Sequence, residues 1–133
     1  MRIFLAVISL ALFSPVEFSR AQTANCSEPQ TTLEMKICAQ AALAAADGDL
    51  NADYKMARTY MRALDKNLPA RLKGAEKALL KAQRIWIKYR DAQCNLQGFS
   101  ARGGTLEGLL ITSCLERMTR SQSEKLRILF EQN

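Results

Sequence analysis

Apolar residues recur along most of this chain at steps of three and four, the spacing that places them on one side of a helix. A first stripe runs through Leu43, Ala46, Leu50, Tyr54, Ala57, Met61 and Leu64. Thr31-Thr32-Leu33-Glu34 precedes it with a Thr followed three residues later by Glu, the capping-box signature of a helix start. The Ala-rich run from Ala39 to Ala46 favours helix and permits close approach of a neighbour, while Gly48 costs about 1 kcal/mol relative to Ala without ending the pattern. Lys66-Asn67-Leu68-Pro69 closes the element, with Pro69 suited to the first turn of the next.

A second stripe contains Leu72, Ala75, Leu79, Ala82, Trp86 and Tyr89 or Arg90, and it ends near Leu96. Gly98 to Gly104 reads as a loop, after which Thr105 is a candidate N-cap and Glu107 lies near the positive end of a helix dipole. The third stripe is Ile111, Leu115, Met118, Gln122, Leu126 and Leu129. Two short connections between three amphipathic helices predict an all-α antiparallel three-helix bundle. The stretch from Ala82 to Cys94 should be its central packing face, with Trp86 largely buried among all three helices.

The start of the chain is different. Arg2, an apolar run from Ile3 to Phe13 broken by Ser9, and a polar end at Ser19-Arg20-Ala21 have the layout of a secretory signal peptide cleaved after Ala21. Residues 22–30 then form an extended lead-in, and 31–133 the helical domain. The apolar run is too short to span a bilayer, and the mature chain contains no transmembrane segment. Thr23-Ala24-Asn25 before Cys26 lacks the small-residue approach of a lipid anchor. Localisation is therefore expected to be periplasmic or secreted.

Export gives meaning to the cysteines. Four of them in an oxidising compartment predict two disulfides, for which three pairings exist. Cys26 and Cys38 flank the first helix start, whereas Cys94 and Cys114 lie on either side of the second helix connection, so the bundle favours Cys26 with Cys38 and Cys94 with Cys114. Each would contribute about 3 kcal/mol. The absence of His removes Ser-His-Asp and Cys-His chemistry and His-dependent zinc sites. No nucleophile or carboxylate pair suggests catalysis, so the chain is expected not to be an enzyme and to need no cofactor or metal. An EF-hand reading of Asp47-Gly48-Asp49-Leu50-Asn51-Ala52-Asp53 fails at the sixth and twelfth positions, which hold Ala52 and Arg58.

Without Arg2, Glu17 and Arg20 the chain has 17 basic and 12 acidic residues, a net charge of +5. Lys73, Lys77, Lys81, Arg84 and Lys88 form a basic face on the second helix. That face is either ordinary solvated surface or a dock for an anionic envelope component; nucleic acid is an improbable partner outside the cytoplasm, and no aromatic platform interleaves the charges. Gln83, Arg90 and Asp91, with Asn51 and Thr119 as partners, are expected to form a structural polar network in which Arg90 finds a carboxylate such as Asp47.

Several blocks resemble the lysozyme-inhibitor LprI-like family. They are Ala46-Asp47-x-x-Leu50-Asn51-x-x-Tyr54, Ala82-Gln83-Arg84-x-Trp86-x-x-Tyr89-Arg90-Asp91-x-x-Cys94, Gly103-Gly104-Thr105, and Cys114-Leu115-x-x-Met118-Thr119. The resemblance implies a small exported helical protein that binds a protein partner, a lysozyme. Gln122 stands where the family usually has Arg. Animal lysozymes are themselves basic, so a basic chain would be repelled at long range. The resemblance therefore directs attention to a local acidic patch at Asp47, Asp49 and Asp53, or to insertion of the glycine loop through Arg102, Gly103 and Gly104.

Overall fold

A computed structural model describes residues 24–131, which fold into three long helices. The expected signal peptide and its cleavage point lie outside the described residues. The first helix, α1, spans Thr32–Asn67. Its capping box forms as expected: the Thr31 hydroxyl accepts the Glu34 N–H, and the Glu34 carboxylate accepts the Thr31 N–H. Gly48 sits inside α1 on its exposed face, where a Cβ would meet nothing, so the helix continues through it.

The second helix, α2, spans Ala75–Gly98, and the third, α3, spans Glu107–Glu131. α2 begins later than the position of Pro69 suggests, because a short 3-10 turn at Ala70–Leu72 intervenes and Gly74, at φ 144°, redirects the chain. Leu72 therefore stays outside the α2 stripe and is exposed. The turn is fixed from below by Asp65, whose carboxylate accepts the N–H groups of Gly74, Ala75 and Glu76 at 2.8, 2.9 and 3.1 Å. These are unsatisfied donors at the start of a helix, so a residue of α1 caps α2.

Ion pairs and hydrogen bonds define the register. Arg120 meets Asp49 and Arg127 meets Asp53, so α1 and α3 ascend together. Gln83 meets Gln122, Arg90 meets Thr119 and Cys94 joins Cys114, so α2 descends against α3. The up-down-up order is thus the one expected, and α1 packs most extensively on α3.

The core is small. Leu50, Ala57, Leu79 and Leu126 are buried, with Tyr54, Met61, Trp86, Leu129 and Phe130 packed against them. Small cores of this kind gain disproportionately from cross-links. Both disulfides have the expected pairing, Cys26–Cys38 and Cys94–Cys114. The second is buried within the bundle, Cys94 being wholly inaccessible.

The inner face of α2 differs from the apolar stripe read along the chain. Leu79, Gln83, Cys94 and Gly98 are its buried positions, with Trp86 and Arg90 partly buried, while Ala82 and Tyr89 face solvent. Trp86 is therefore only half-buried, not enclosed by all three helices. The cause is local: α2 has comparatively little contact with α1, and the Arg90 guanidinium covers the ring at 5.2 Å from its centroid.

Candidate functional site

The connection between α2 and α3 brings together an ion pair, an exposed aromatic ring and a left-handed glycine. Its base is rigid. Gly98 is buried at the end of α2, and a Cβ there would lie 2.6 Å from Ile111 Cγ1, so glycine is what lets the two helices close. One turn below, Cys94 and Cys114 are bridged with their Cα atoms 5.4 Å apart.

Above this base the chain makes a short 3-10 turn at Phe99–Ala101 and then reverses at Gly103, whose φ of 75° lies in the left-handed region. Glu107, in the first turn of α3, organises the reversal. One of its carboxylate oxygens accepts the Gly103 N–H at 2.8 Å, and the other accepts Arg102 Nη1 at 2.7 Å. The bond from Gly103 holds the Glu107 carboxyl below its usual range, and Arg102 adds to this against the opposing effect of burial. Arg102 is held a second way, with its guanidinium 4.7 Å from the centroid of the Phe99 ring.

The result is a fixed but exposed tip. Phe99 is 58% exposed, Leu96 64% and Leu106 46%, and the Arg102 side chain is 65% exposed. Phe99, Arg102, Gly104 and Leu106 line part of a shallow depression of about 470 Å³. Thr105 plays no capping role: the Leu106 carbonyl accepts the first helical N–H, from Leu110, and Glu107 does the work on the loop. Sequence reasoning placed Glu107 at a helix dipole and did not single out Phe99. The available signal was an apolar residue on each side of a glycine pair, next to one Arg.

The polar positions of α2 lie in a seam between the helices. Gln83 accepts the Gln122 side-chain N–H at 3.1 Å. Arg90 donates to Thr119 at 3.0 Å, to Asp47 at 3.4 Å and to Asp91 at 2.9 Å. Thr119 and Gln83 are buried, whereas Asn51 is exposed and stands apart from this group. Among the described residues no buried side-chain polar atom lacks a partner, which is what a register-setting seam requires.

The three aspartates of the expected acidic patch, Asp47, Asp49 and Asp53, are all engaged. Asp53 accepts bonds from Ser123 and from Arg127, the latter at 3.0 Å. Burial pushes its carboxyl up, but the bonds from Arg127 and Ser123 outweigh this and lower it. Asp47 is bound to Arg90, and Asp49 lies 3.8 Å from Arg120. Lys73, Lys77, Lys81, Arg84 and Lys88 are exposed, and none makes an ion pair within 4 Å among the described residues. No group of three or more Cys, Asp or Glu side chains able to hold a metal occurs among the described residues.

These features define a disulfide-stapled three-helix domain with a rigid, exposed connection. A family model described as lysozyme inhibitor LprI matches residues 23–126, nearly the whole described region. The chain belongs to the LprI family. It is 43% identical over 110 residues to an uncharacterized protein of Rhizobium meliloti (strain 1021), a match that covers 80% of this chain and 79% of the other. The crystal structure of a DUF1311 family protein from Pseudomonas putida KT2440 superposes with a TM-score of 0.64 at 22% identity, covering 82% of this chain and 100% of that one. At that identity the likeness concerns the fold alone. No described helix is long and apolar enough to cross a membrane.

Proposed function

We propose that this protein is an exported, non-enzymatic binding protein that inhibits a lysozyme by presenting the connection between α2 and α3 to its cleft. Family membership supports the target class. The two disulfides accord with a periplasmic or extracellular compartment.

The observation that carries the reading is the doubly held Arg102, stacked on Phe99 and tied to Glu107 while most of its side chain remains exposed. A loop already ordered loses little freedom on binding, so more of its contact energy becomes affinity. Glycoside-hydrolysing clefts of the lysozyme type hold two carboxylates, and the open edge of Arg102 is a geometrically suited partner for one of them. Phe99, Leu96 and Leu106 supply adjoining apolar area, as anchors of protein interfaces do. The loop is a better candidate than Asp47, Asp49 and Asp53, because it sets exposed apolar side chains, Leu96, Phe99 and Leu106, beside its charge.

The test is a lysozyme activity assay with the purified mature chain across a salt series. Inhibition at micromolar protein is expected, and an Arg102→Ala/Phe99→Ala variant should weaken it by about a hundredfold if these are central anchors. Full lysozyme activity at micromolar wild-type protein removes the inhibitor reading.

A further inference from the structure

The outer face of α2 is distinct from the loop and takes no part in the proposed inhibition. Lys77, Lys81, Arg84 and Lys88 follow one another at steps of four, three and four along it. All are exposed, and among the described residues none has a carboxylate within ion-pair distance. Six arginines off this strip, Arg58, Arg62, Arg90, Arg102, Arg120 and Arg127, each lie within ion-pair distance of a carboxylate.

The carboxylates nearest this face cannot neutralise it. Glu76 is bound by Arg58 at 2.6 Å, and Asp91 by Arg90 at 2.9 Å. Asp65 is committed to the backbone of α2, with Lys73 contributing only at longer range to its lowered titration. An uncompensated strip of positive charge therefore runs along the helix for about 16 Å, from the rise per residue.

Apolar side chains flank that strip. Ile85 is 58% exposed and Ile87 40%, on opposite sides of it. Leu80 and Ile85, with the stems of Lys77, Lys81 and Arg84, line an open groove of about 420 Å³. We propose that this face docks the protein onto an anionic phospholipid bilayer, with α2 lying parallel to the surface.

Charge and apolar area together select the occupant. Anionic head groups meet the four cations, whose methylene stems can lie along apolar surface while their charges reach upward. The isoleucines then enter the interface, as the apolar side of a surface-lying helix does. A hydrated soluble polyanion would satisfy the cations and leave Ile85 and Ile87 in water. In this orientation α1 and α3 lie above α2, and the connection at Phe99–Leu106 remains open at the end of the bundle.

Vesicle sedimentation with the full mature chain tests the proposal, using zwitterionic phosphatidylcholine vesicles and the same vesicles mixed with phosphatidylglycerol. The wild type should pellet with the anionic vesicles, stay in solution with the zwitterionic ones, and be released by salt. The variant Lys77→Ser/Lys81→Ser/Arg84→Ser/Lys88→Ser should lose roughly three orders of magnitude in partitioning, with its helical circular dichroism and its effect on lysozyme unchanged. Ile85→Ser/Ile87→Ser, which keeps every charge, should partition several-fold more weakly. Wild-type protein that stays in solution with anionic vesicles, or a quadruple variant that pellets as well as wild type, overturns the proposal. So does unchanged vesicle binding by the isoleucine variant together with equally tight binding to a soluble polyanion, which would assign the face to polymers.

Discussion

The two connections of the bundle use the same device for different ends. In each, a carboxylate on a helix accepts backbone N–H groups from the adjoining connection. Asp65 binds the first three N–H groups at the start of α2, so its capacity goes into starting a helix. Glu107 binds one N–H of the loop tip and one guanidinium, so its capacity goes into posing an exposed side chain. The base differs as well. Beneath the second connection lie a buried disulfide and a glycine contact, whereas the first is braced by the partly exposed Arg58–Glu76 pair. A rigid base under an exposed tip is what a recognition loop needs, and only the second connection has both.

The most severe way to break this comparison is to remove the base. Replacing Cys94 and Cys114 by Ala should cost about 3 kcal/mol in urea unfolding from loop closure. It should also abolish lysozyme inhibition. Replacing Cys26 and Cys38 removes a bridge of similar loop length, 12 residues against 20, and should cost a similar amount of stability while leaving inhibition intact. Equal effects of the two on inhibition would show that the second disulfide has no special relation to the loop.

A smaller cut is Gly98→Ala. The new Cβ would press on Ile111 Cγ1 and Cδ1, at 2.6 and 2.8 Å before relaxation, and overpacking of this kind costs about 1–3 kcal/mol. Thermal unfolding measures it. Combination with Ile111→Ala should recover part of the loss, which separates a steric effect from one on backbone freedom.

Asp65 provides the contrast at the other end. Its bonds from Gly74, Ala75 and Glu76 lower its carboxyl titration, so the unfolded chain binds the proton more readily than the folded one. Stability from this group is therefore complete above the ordinary aspartate range of about 3.9 and is lost as pH falls through the depressed value. Asp65→Ala should lower the melting temperature at neutral pH, and the gap from wild type should narrow on acidification. Inhibition at neutral pH should be unchanged. A constant gap down to the acid limit would mean that the carboxylate charge is not what caps α2.

The fold was legible where local chemistry and packing agree. Thr31 and Glu34 announce the start of α1, the Leu50–Tyr54–Ala57–Met61 stripe lies inward, and the bundle order led to both cysteine pairings. It was less legible on α2, where Leu72, Ala82 and Tyr89 were counted as core and are exposed. There Gln83, Arg90 and Cys94 lie inward; Arg90 with Asp47 and Cys94 with Cys114 are the expected pairs, whereas Gln83 meets Gln122 instead of Asn51 or Thr119, and Thr119 meets Arg90. A stripe counted by apolarity assigns Ala82 and Tyr89 to the face that these polar groups and the disulfide occupy. The candidate loop was visible through Gly103, Gly104 and Arg102, but Glu107 was not, since its bond to Gly103 depends on the path of the turn between them.

Glu107 is therefore the sharpest probe of the difference between the two connections, although its effect on stability should be the smallest. Glu107→Gln keeps one oxygen to accept the Gly103 N–H, but its amide nitrogen can only donate, so the bond that the Arg102 guanidinium now makes to the second oxygen is lost. The melting temperature should barely move, because α3 remains packed along α1 and the disulfide still holds the base. Inhibition should fall by about tenfold through loss of preorganisation, and chiefly in the dissociation rate. Arg102→Lys, which keeps the charge but loses the planar contact with Phe99, should behave similarly. If Glu107→Gln instead lowers the melting temperature as much as Asp65→Ala does and leaves inhibition untouched, then Glu107 stabilises α3 as Asp65 stabilises α2, and the two connections differ only in the bridge beneath one of them.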